Sequence, residues 1–583
     1  MAAFGCSHLI APYLAARTSI RYQLEGSFET AYLIATTSVL LLGAVLSFGT
    51  LRNQPTGRRL LYGLTGTVLW IVVAGLQLVV AVDTTMSKSL LTLFWAGGSS
   101  WVIWSIWAAA FYRWRGIVVG TMLVLVWSFG FWQLVEVTGL TGDARVEFAW
   151  RQQPRATESL DVPTNNRSAD AGEVLWPGYL GVDRAGKVSG LDIAADWKTQ
   201  PPQEVWRQSC GAGWSSSAAT ESTLFTQEQI DQVDCVTARQ ISDGQLIWVR
   251  AEQQPGFKSG LGGDGPRATP SLHQWNGEDG SQQLVLYAVG PTGLLQCLDA
   301  SGGEVLWEVD LAKRFPGENL PHGVCASPLV LESIVVVCPP AEDGPCLAAF
   351  DLHSGAPVWT CDSAWRSSYC SPQLMTIAGQ QQIVVHASPG VLGVDPDTGQ
   401  TLWQFEWTNE WDNNATQPLA VPNAPADLVI ATGYRGGGVR LNLQPSSNEH
   451  WSVTEVWQAN QTLRTKFCNM HLLDDLVVSL DNGILCGVDA TSGNVKWKNG
   501  RYGHGQLLKL DHQLLVVAER GDVCLLEPDE SGPNETARFT ALDRKTWNQP
   551  VIVQDLLILR NDQQIVCYRL RTVSNDSETP NAD

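Results

Sequence analysis

The chain has 583 residues, of which 44% are apolar and only 16% charged, with 25 Trp and a net charge of −20. That length exceeds one ordinary domain, and the acidity excludes nucleic acid and anionic lipid surfaces as partners for most of the chain. The charge is uneven: residues 1–150 hold nine Lys and Arg against six Asp and Glu, which leaves −23 on the other 433 residues.

Four N-terminal stretches, residues 30–51, 60–82, 89–112 and 116–135, contain no charged residue, and each matches the ~20 residues that cross a bilayer core. They predict an α-helical membrane module of four transmembrane helices over residues 1–142. Short cytoplasmic loops retain positive charge. Arg52, Arg58 and Arg59 mark the first loop and Arg113 and Arg115 the third, whereas the second offers Lys88 against Asp83. A multi-pass protein of the inner (cytoplasmic) membrane is expected, with everything after Val135 on the periplasmic, extracytoplasmic side. The N-terminal tail shows no cleavable signal pattern, because its apolar run near Leu9 is short and interrupted by Pro12. Residues 143–175, polar with several Pro and Ser, read as a linker.

From residue 176 a repeat takes over. "LDASGGEVLW", "FDLHSGAPVW", "VDPDTGQTLW" and "VDATSGNVKW" end at Trp307, Trp359, Trp403 and Trp497, with looser copies ending at Trp248, Trp457 and Phe539. An Asp side chain that bonds turn amides and a Gly that supplies positive φ suit a hairpin between two strands. Spacings of roughly 40 to 60 residues make one propeller blade of four short strands. A second series, a small polar residue followed by an apolar strand, begins near Ser215 and recurs at Pro270, Pro328, Pro372, Pro418, His471, Gly505 and Pro550, giving eight innermost strands. The seven outer strands lack an eighth. "PPQEVWRQ" carries Trp206 with no strand before it, and "QQIVCYRL" ends with no turn and Trp after it, so the two termini are expected to complete one blade and remove the open edges. The expected fold is therefore the membrane module followed by an all-β eight-bladed propeller over residues 176–570 and a disordered tail, 571–583. Trp411 lies outside the repeat register.

At these residues the chain resembles the PQQ-like β-propeller repeat family, and "WPGYLGVDRAGKVSG" is similar to the leader that precedes many such propellers. The resemblance implies that Trp206, Trp248, Trp307, Trp359, Trp403, Trp457 and Trp497 wedge between neighbouring blades. Catalytic quinoprotein dehydrogenases of the family carry a disulfide between adjacent cysteines, a Ca²⁺ ligand set and an Asp base. The sequence has no adjacent cysteines and no C-x-x-C-H haem motif, so the non-catalytic, BamB-like branch is the better match.

Thirteen cysteines suggest two loop-closing pairs, Cys338 with Cys346 and Cys361 with Cys370, and no spacing resembles a zinc site. Arg267, His322, Tyr369, His504 and Trp547 precede or enter inner strands and are candidates for the channel mouth. The ring Ser216, Thr269, Ser327, Ser371, Gln417, Asn469, Gly505 and Gln549 reads as neutral channel lining. No catalytic, cofactor-binding or metal-ligating residue is assigned. The expectation is a membrane-anchored scaffold that binds a protein partner, with no cofactor; the alternative is an oxidoreductase that uses PQQ with calcium and passes electrons to membrane quinone.

Overall fold

The computed structural model describes residues 135–140, 142, 146–150, 167–169 and 172–573, the last span without 260–261, 277–280, 341–343 and 447–450. The chain divides into two compact units, 1–153 and 154–583. In the first, β1 (Val135–Leu140) and β2 (Val146–Trp150) form an antiparallel hairpin with a bulge between Val137 and Gly139. This hairpin straddles residue 142, where the sequence reading ends the membrane module, so a strand occupies part of the expected linker. The four charge-free stretches lie outside the described residues, apart from Val135. Among the described residues no helix is long and apolar enough to cross a membrane.

The second unit opens with β3 (Val174–Trp176) and β4 (Gln203–Ser209). The first blade follows: β5 (Ser217–Thr220), β6 (Thr223–Ile230), β7 (Val233–Gln240) and β8 (Leu246–Pro255), with β3 added on the inner side. Six four-stranded antiparallel blades occupy residues 271–310, 329–360, 373–406, 419–459, 471–501 and 506–540. The eighth is composite. Its strands Val551–Val553, Leu556–Arg560 and Gln564–Arg569 are completed by β4, which pairs Trp206 with Cys567 and Ser209 with Gln564. All eight innermost strands fall at the expected places, and the ring closes with the two ends of the unit, as the unmatched half-blades require.

The core is a circle of apolar layers between blades. Met375, Val384, Val391 and Trp403 of the fourth blade, for example, pack against Leu428, Ile430 and Val439 of the fifth. One irregularity recurs in all eight blades: the outermost strand carries an extra residue, so that Ile247, Leu306, Val358, Leu402, Val456, Lys496, Thr536 and Val205 have no partner on the third strand. The next residue is the ladder Trp in seven blades. A bulge kinks the strand and re-aims the side chain that follows, here into the gap toward the next blade.

The hairpin motif and the Trp belong to one device. The indole N–H of Trp248 donates to Ala300 O at 3.0 Å, that of Trp307 to Leu352 O at 2.9 Å, that of Trp359 to Pro396 O at 3.0 Å and that of Trp457 to Ala490 O at 2.8 Å. Each acceptor directly follows the turn Asp of the next blade. In the same turns Gly303, Gly355, Gly399 and Gly493 have φ between +67 and +77° and lie on those indoles, so that a Cβ on Gly303 would sit 2.7 Å from the Trp248 ring. Glycine is thus required twice, for its φ and for the close approach. Trp206 treats the first blade alike, donating to Ile241 O at 2.6 Å beneath Gly244.

Three blades depart from the pattern. The fifth lacks the Asp-to-Gly turn, and the Trp403 indole of the fourth blade turns back to Gln382 Oε1 of its own blade at 2.7 Å. In the seventh, the pairing of Leu525 with Ala537 puts Ala537, not Phe539, at the Trp position, which corrects the register read from "ETARF". The eighth blade offers no hairpin there, because its third and fourth strands come from opposite ends of the unit. Phe539 and Trp197 fill the junction instead, edge to face at 5.3 Å, with Tyr568 against Phe539 at 4.9 Å.

Candidate functional site

In a propeller the connections between blades converge on the central channel, so the site is built from the inner strands outward. The leader segment crosses this channel. After β3, Gly178 lies against Ser271 of the second blade. The Tyr179 hydroxyl accepts from Asn469 Nδ2 of the sixth at 3.0 Å. Arg184 Nη1 donates to Ser327 O at 3.1 Å and Pro372 O at 2.9 Å, and Nη2 donates to Pro328 O, on the third and fourth blades. The segment leaves along the seventh, where Val188 N donates to Lys509 O at 2.9 Å and Ile193 N to Gln513 Oε1 at 2.9 Å.

Arg184 is buried and held by carbonyls alone, with no carboxylate within ion-pair distance among the described residues. Burial lowers its guanidinium pKa to about 10, and burial raises the Tyr179 phenol to about 12 against the Asn469 bond. Backbone carbonyls satisfy a buried cation's hydrogens, though not its charge.

The neutral ring is buried and is used up by the fold. Ser216 N donates to Thr269 Oγ1 at 3.1 Å, Thr269 N to Ser327 Oγ at 2.8 Å, Ser327 N to Ser371 Oγ at 2.9 Å and Gln417 N to Asn469 Oδ1 at 2.9 Å. Ser216 Oγ joins the first blade to the eighth through Gln549 O at 2.7 Å. These residues form a belt between blades, not the free lining that the sequence suggests. Among the described residues, Gln417 Nε2 and Gln549 Oε1 of this ring, with Gln506 Oε1 and Asn548 Oδ1 beside it, are buried without a partner, at positions suited to ordered water.

The five mouth candidates come together in one cluster. The rings of His322 and Tyr369 lie 5.5 Å apart. His322 Nδ1 meets Ser259 Oγ at 2.8 Å, and Arg267 donates to the carbonyls of Gly262 at 2.8 Å, Gly263 at 3.0 Å and Gly265 at 3.1 Å. Across the mouth Phe467 lies between His504, at 5.8 Å, and Trp547, at 4.9 Å. Glu519 holds both: its carboxylate accepts from the backbone N–H of His504 at 3.1 Å and from the Trp547 indole at 3.0 Å. Trp214 bridges the halves, 4.8 Å from Trp547 and bonded to Gly262 O at 3.0 Å. The Lys545 ammonium lies over both indoles, at 5.1 and 4.5 Å. Burial and the Arg267 charge lower His322 to about 4, so it is neutral at physiological pH.

Sequence reasoning missed Arg184, Tyr179, Trp214, Phe467, Lys545 and Glu519. The leader motif contains Tyr179 and Arg184, but the inward turn at Asp183 and Arg184, with φ of 55 and 52°, leaves no signature in the sequence.

PQQ, a flat quinone with three carboxylates, does not fit this channel. Arg184, the cation that the leader brings into the channel, already serves three carbonyls, and the belt residues are committed to neighbouring blades. Among the described residues no cluster of three His, Cys, Asp or Glu is arranged to hold a metal.

Eight blades, Trp-ended hairpins and a leader drawn through the channel define a PQQ-like β-propeller. By sequence the chain belongs to the family described as outer membrane protein assembly factor BamB, whose model matches residues 199–499. The protein of that name from Shewanella oneidensis is 23% identical over 290 residues, which is 47% of this chain and 66% of the relative. The match thus spans just under two thirds of the relative's length. Among solved structures, BamB from Moraxella catarrhalis has a TM-score of 0.45 at 14% identity, over 63% of this chain and 99% of that one. A quinohemoprotein alcohol dehydrogenase from Pseudomonas putida HK5 has a TM-score of 0.47 at 13%, over 70% and 83%. Both likenesses are weak, and the family assignment rests on the sequence match.

Proposed function

We propose that this chain is a membrane-anchored scaffold whose propeller, outside the cytoplasm, binds a protein partner of envelope assembly through the face that carries the channel mouth. The observation that carries this reading is the leader: the protein's own Tyr179 and Arg184 occupy the channel that a cofactor would need, so binding falls to the surrounding loops. The family's name, an outer membrane protein assembly factor, supports the same class of work.

On the mouth face the connection between the fourth and fifth blades is built to present one side chain. Asn409 Oδ1 accepts from Trp411 N at 3.0 Å and its Nδ2 donates to Thr432 Oγ1 at 2.7 Å, while Asn414 Nδ2 donates to Ala387 O at 2.7 Å. Arg366 pairs with Asp412 at 3.2 Å. Trp411, held on this braced loop, is 65% exposed. A pre-ordered, exposed Trp is the kind of anchor on which interfaces concentrate their energy. Affinity capture from detergent extract, with the full chain as bait and quantitative mass spectrometry as readout, tests this. Trp411→Ala should deplete a specific protein partner at least tenfold without lowering the melting temperature. Unchanged capture would remove the mouth face from the account.

A further inference from the structure

The fold brings together two cysteines that the sequence spacing does not pair. Cys346 and Cys361 belong to one apolar cluster between the third and fourth blades, and both are buried. They extend the outer hairpin of the third blade: Ala348 pairs with Thr360, and one residue further on Cys361 N donates to Leu347 O at 3.0 Å. Their thiols hydrogen-bond to each other. Cys370, the partner that spacing suggests for Cys361, instead donates to Gln417 Oε1 of the fifth blade at 2.8 Å, and Cys338 faces Cys370 O at 3.9 Å.

We infer that Cys346 and Cys361 form a disulfide that clamps the outer hairpin of the third blade when the propeller folds in an oxidising compartment. The two cysteines face each other across the open end of one hairpin, the setting in which an S–S bond of ~2 Å can close. The bond joins neighbouring ends of a single hairpin, so no blade has to shift. The Cys346 S–H donates to the Cys361 sulfur, which also meets Thr401 Oγ1 at 3.6 Å, and these contacts favour the thiolate of Cys361 as the attacking group. In the reaction the two thiols lose two protons and two electrons and the S–S bond forms. The electrons reduce a disulfide of the glutathione or protein-disulfide class to two thiols.

The inference rests on the extracytoplasmic reading, and the experiment separates the two. The full chain is recovered from cells with free thiols blocked by N-ethylmaleimide, digested without reductant and mapped by mass spectrometry. In a second arm the reduced protein in detergent is equilibrated with oxidised and reduced glutathione before mapping. A peptide linking Cys346 to Cys361 is expected in both arms. The link in glutathione but not in cells supports the pairing and overturns the location. No link in either arm, or a Cys338–Cys346 or Cys361–Cys370 link, overturns the inference. As a second readout, dithiothreitol should lower the urea midpoint of the wild-type chain and leave that of the Cys346→Ala/Cys361→Val variant unchanged; equal responses also overturn it.

Discussion

The coupling of each ladder Trp to the next blade's glycine makes a quantitative prediction for Trp248 and Gly303. Trp248 is fully buried, its N–H is bonded to Ala300 O and its ring lies under Gly303. Trp248→Ala removes roughly 200 Å² of apolar burial, worth about 5 kcal/mol at ~25 cal/mol/Å², in line with the ~3–5 kcal/mol typical of Trp→Ala in cores. Gly303→Ala meets two obstacles. The left-handed backbone at φ +77° costs a non-glycine residue ~1–2 kcal/mol, and a Cβ 2.7 Å from the indole adds an overpacking cost of ~1–3 kcal/mol. Gly379 separates them, since at φ +86° its Cβ would meet nothing within 4 Å. Gly379→Ala should therefore cost only the backbone term. When Trp248 is already Ala, the clash at residue 303 disappears, so the double variant should be less destabilised than the sum of the singles by ~1–3 kcal/mol. Urea unfolding of the full chain in detergent, followed by circular dichroism, measures the cycle. Additive effects, or a Gly303→Ala cost no larger than that of Gly379→Ala, would refute the wedge.

Other residues give further tests. Glu228 is buried against Arg239 at 2.9 Å and also accepts from Gly211 N and Thr237 Oγ1; Glu228→Gln should cost ~3–5 kcal/mol at neutral pH in urea titrations. Burial pushes its pKa up, but Arg239 and Arg560 together bring it below the usual value, so its stabilisation is present above the unfolded carboxylate pKa and fades as pH falls through the folded one. Glu252 has the opposite sign: burial first, then Asp234 and Glu308, raise it to about 8. Its contribution is therefore intact in acid and lost as pH rises through the folded value, so Glu252→Gln should raise the melting temperature at pH 9 and leave it unchanged at pH 4. Replacing β4 with a Gly-Ser stretch should open the ring and abolish cooperative melting by calorimetry, whereas Trp411→Ala should not shift the melting temperature measurably.

The blade count, the inner strands and the ring closure were legible because each rests on local chemistry repeated along the chain: Asp bonding turn amides, Gly at positive φ, an alternating apolar strand. The bulge before each Trp was not, because an extra residue on an edge strand leaves no composition signal; it misplaced Phe539 by two residues. The mouth cluster was partly legible, since Arg267, His322, Tyr369, His504 and Trp547 all precede inner strands. Glu519, which fixes one of its indoles, sits at a turn that nothing local ties to the channel, and Lys545, two residues before Trp547, reads as an ordinary surface lysine. The belt was read in the right register and given the wrong task, because pairing across blades depends on ring geometry that one strand does not encode. Cys346 and Cys361 were missed for another reason: they meet across the open end of one hairpin, and the reading paired cysteines by loop spacing instead.

The claim that the leader, and not a cofactor, occupies the channel is tested most directly by calorimetric titration of PQQ with Ca²⁺ into the full chain in detergent, beside dye reduction with alcohols and sugars. The account predicts no binding heat down to micromolar affinity and no dye reduction. Micromolar or tighter binding with turnover would mean that Arg184 leaves the axis to admit the quinone, and the scaffold reading would give way to the oxidoreductase.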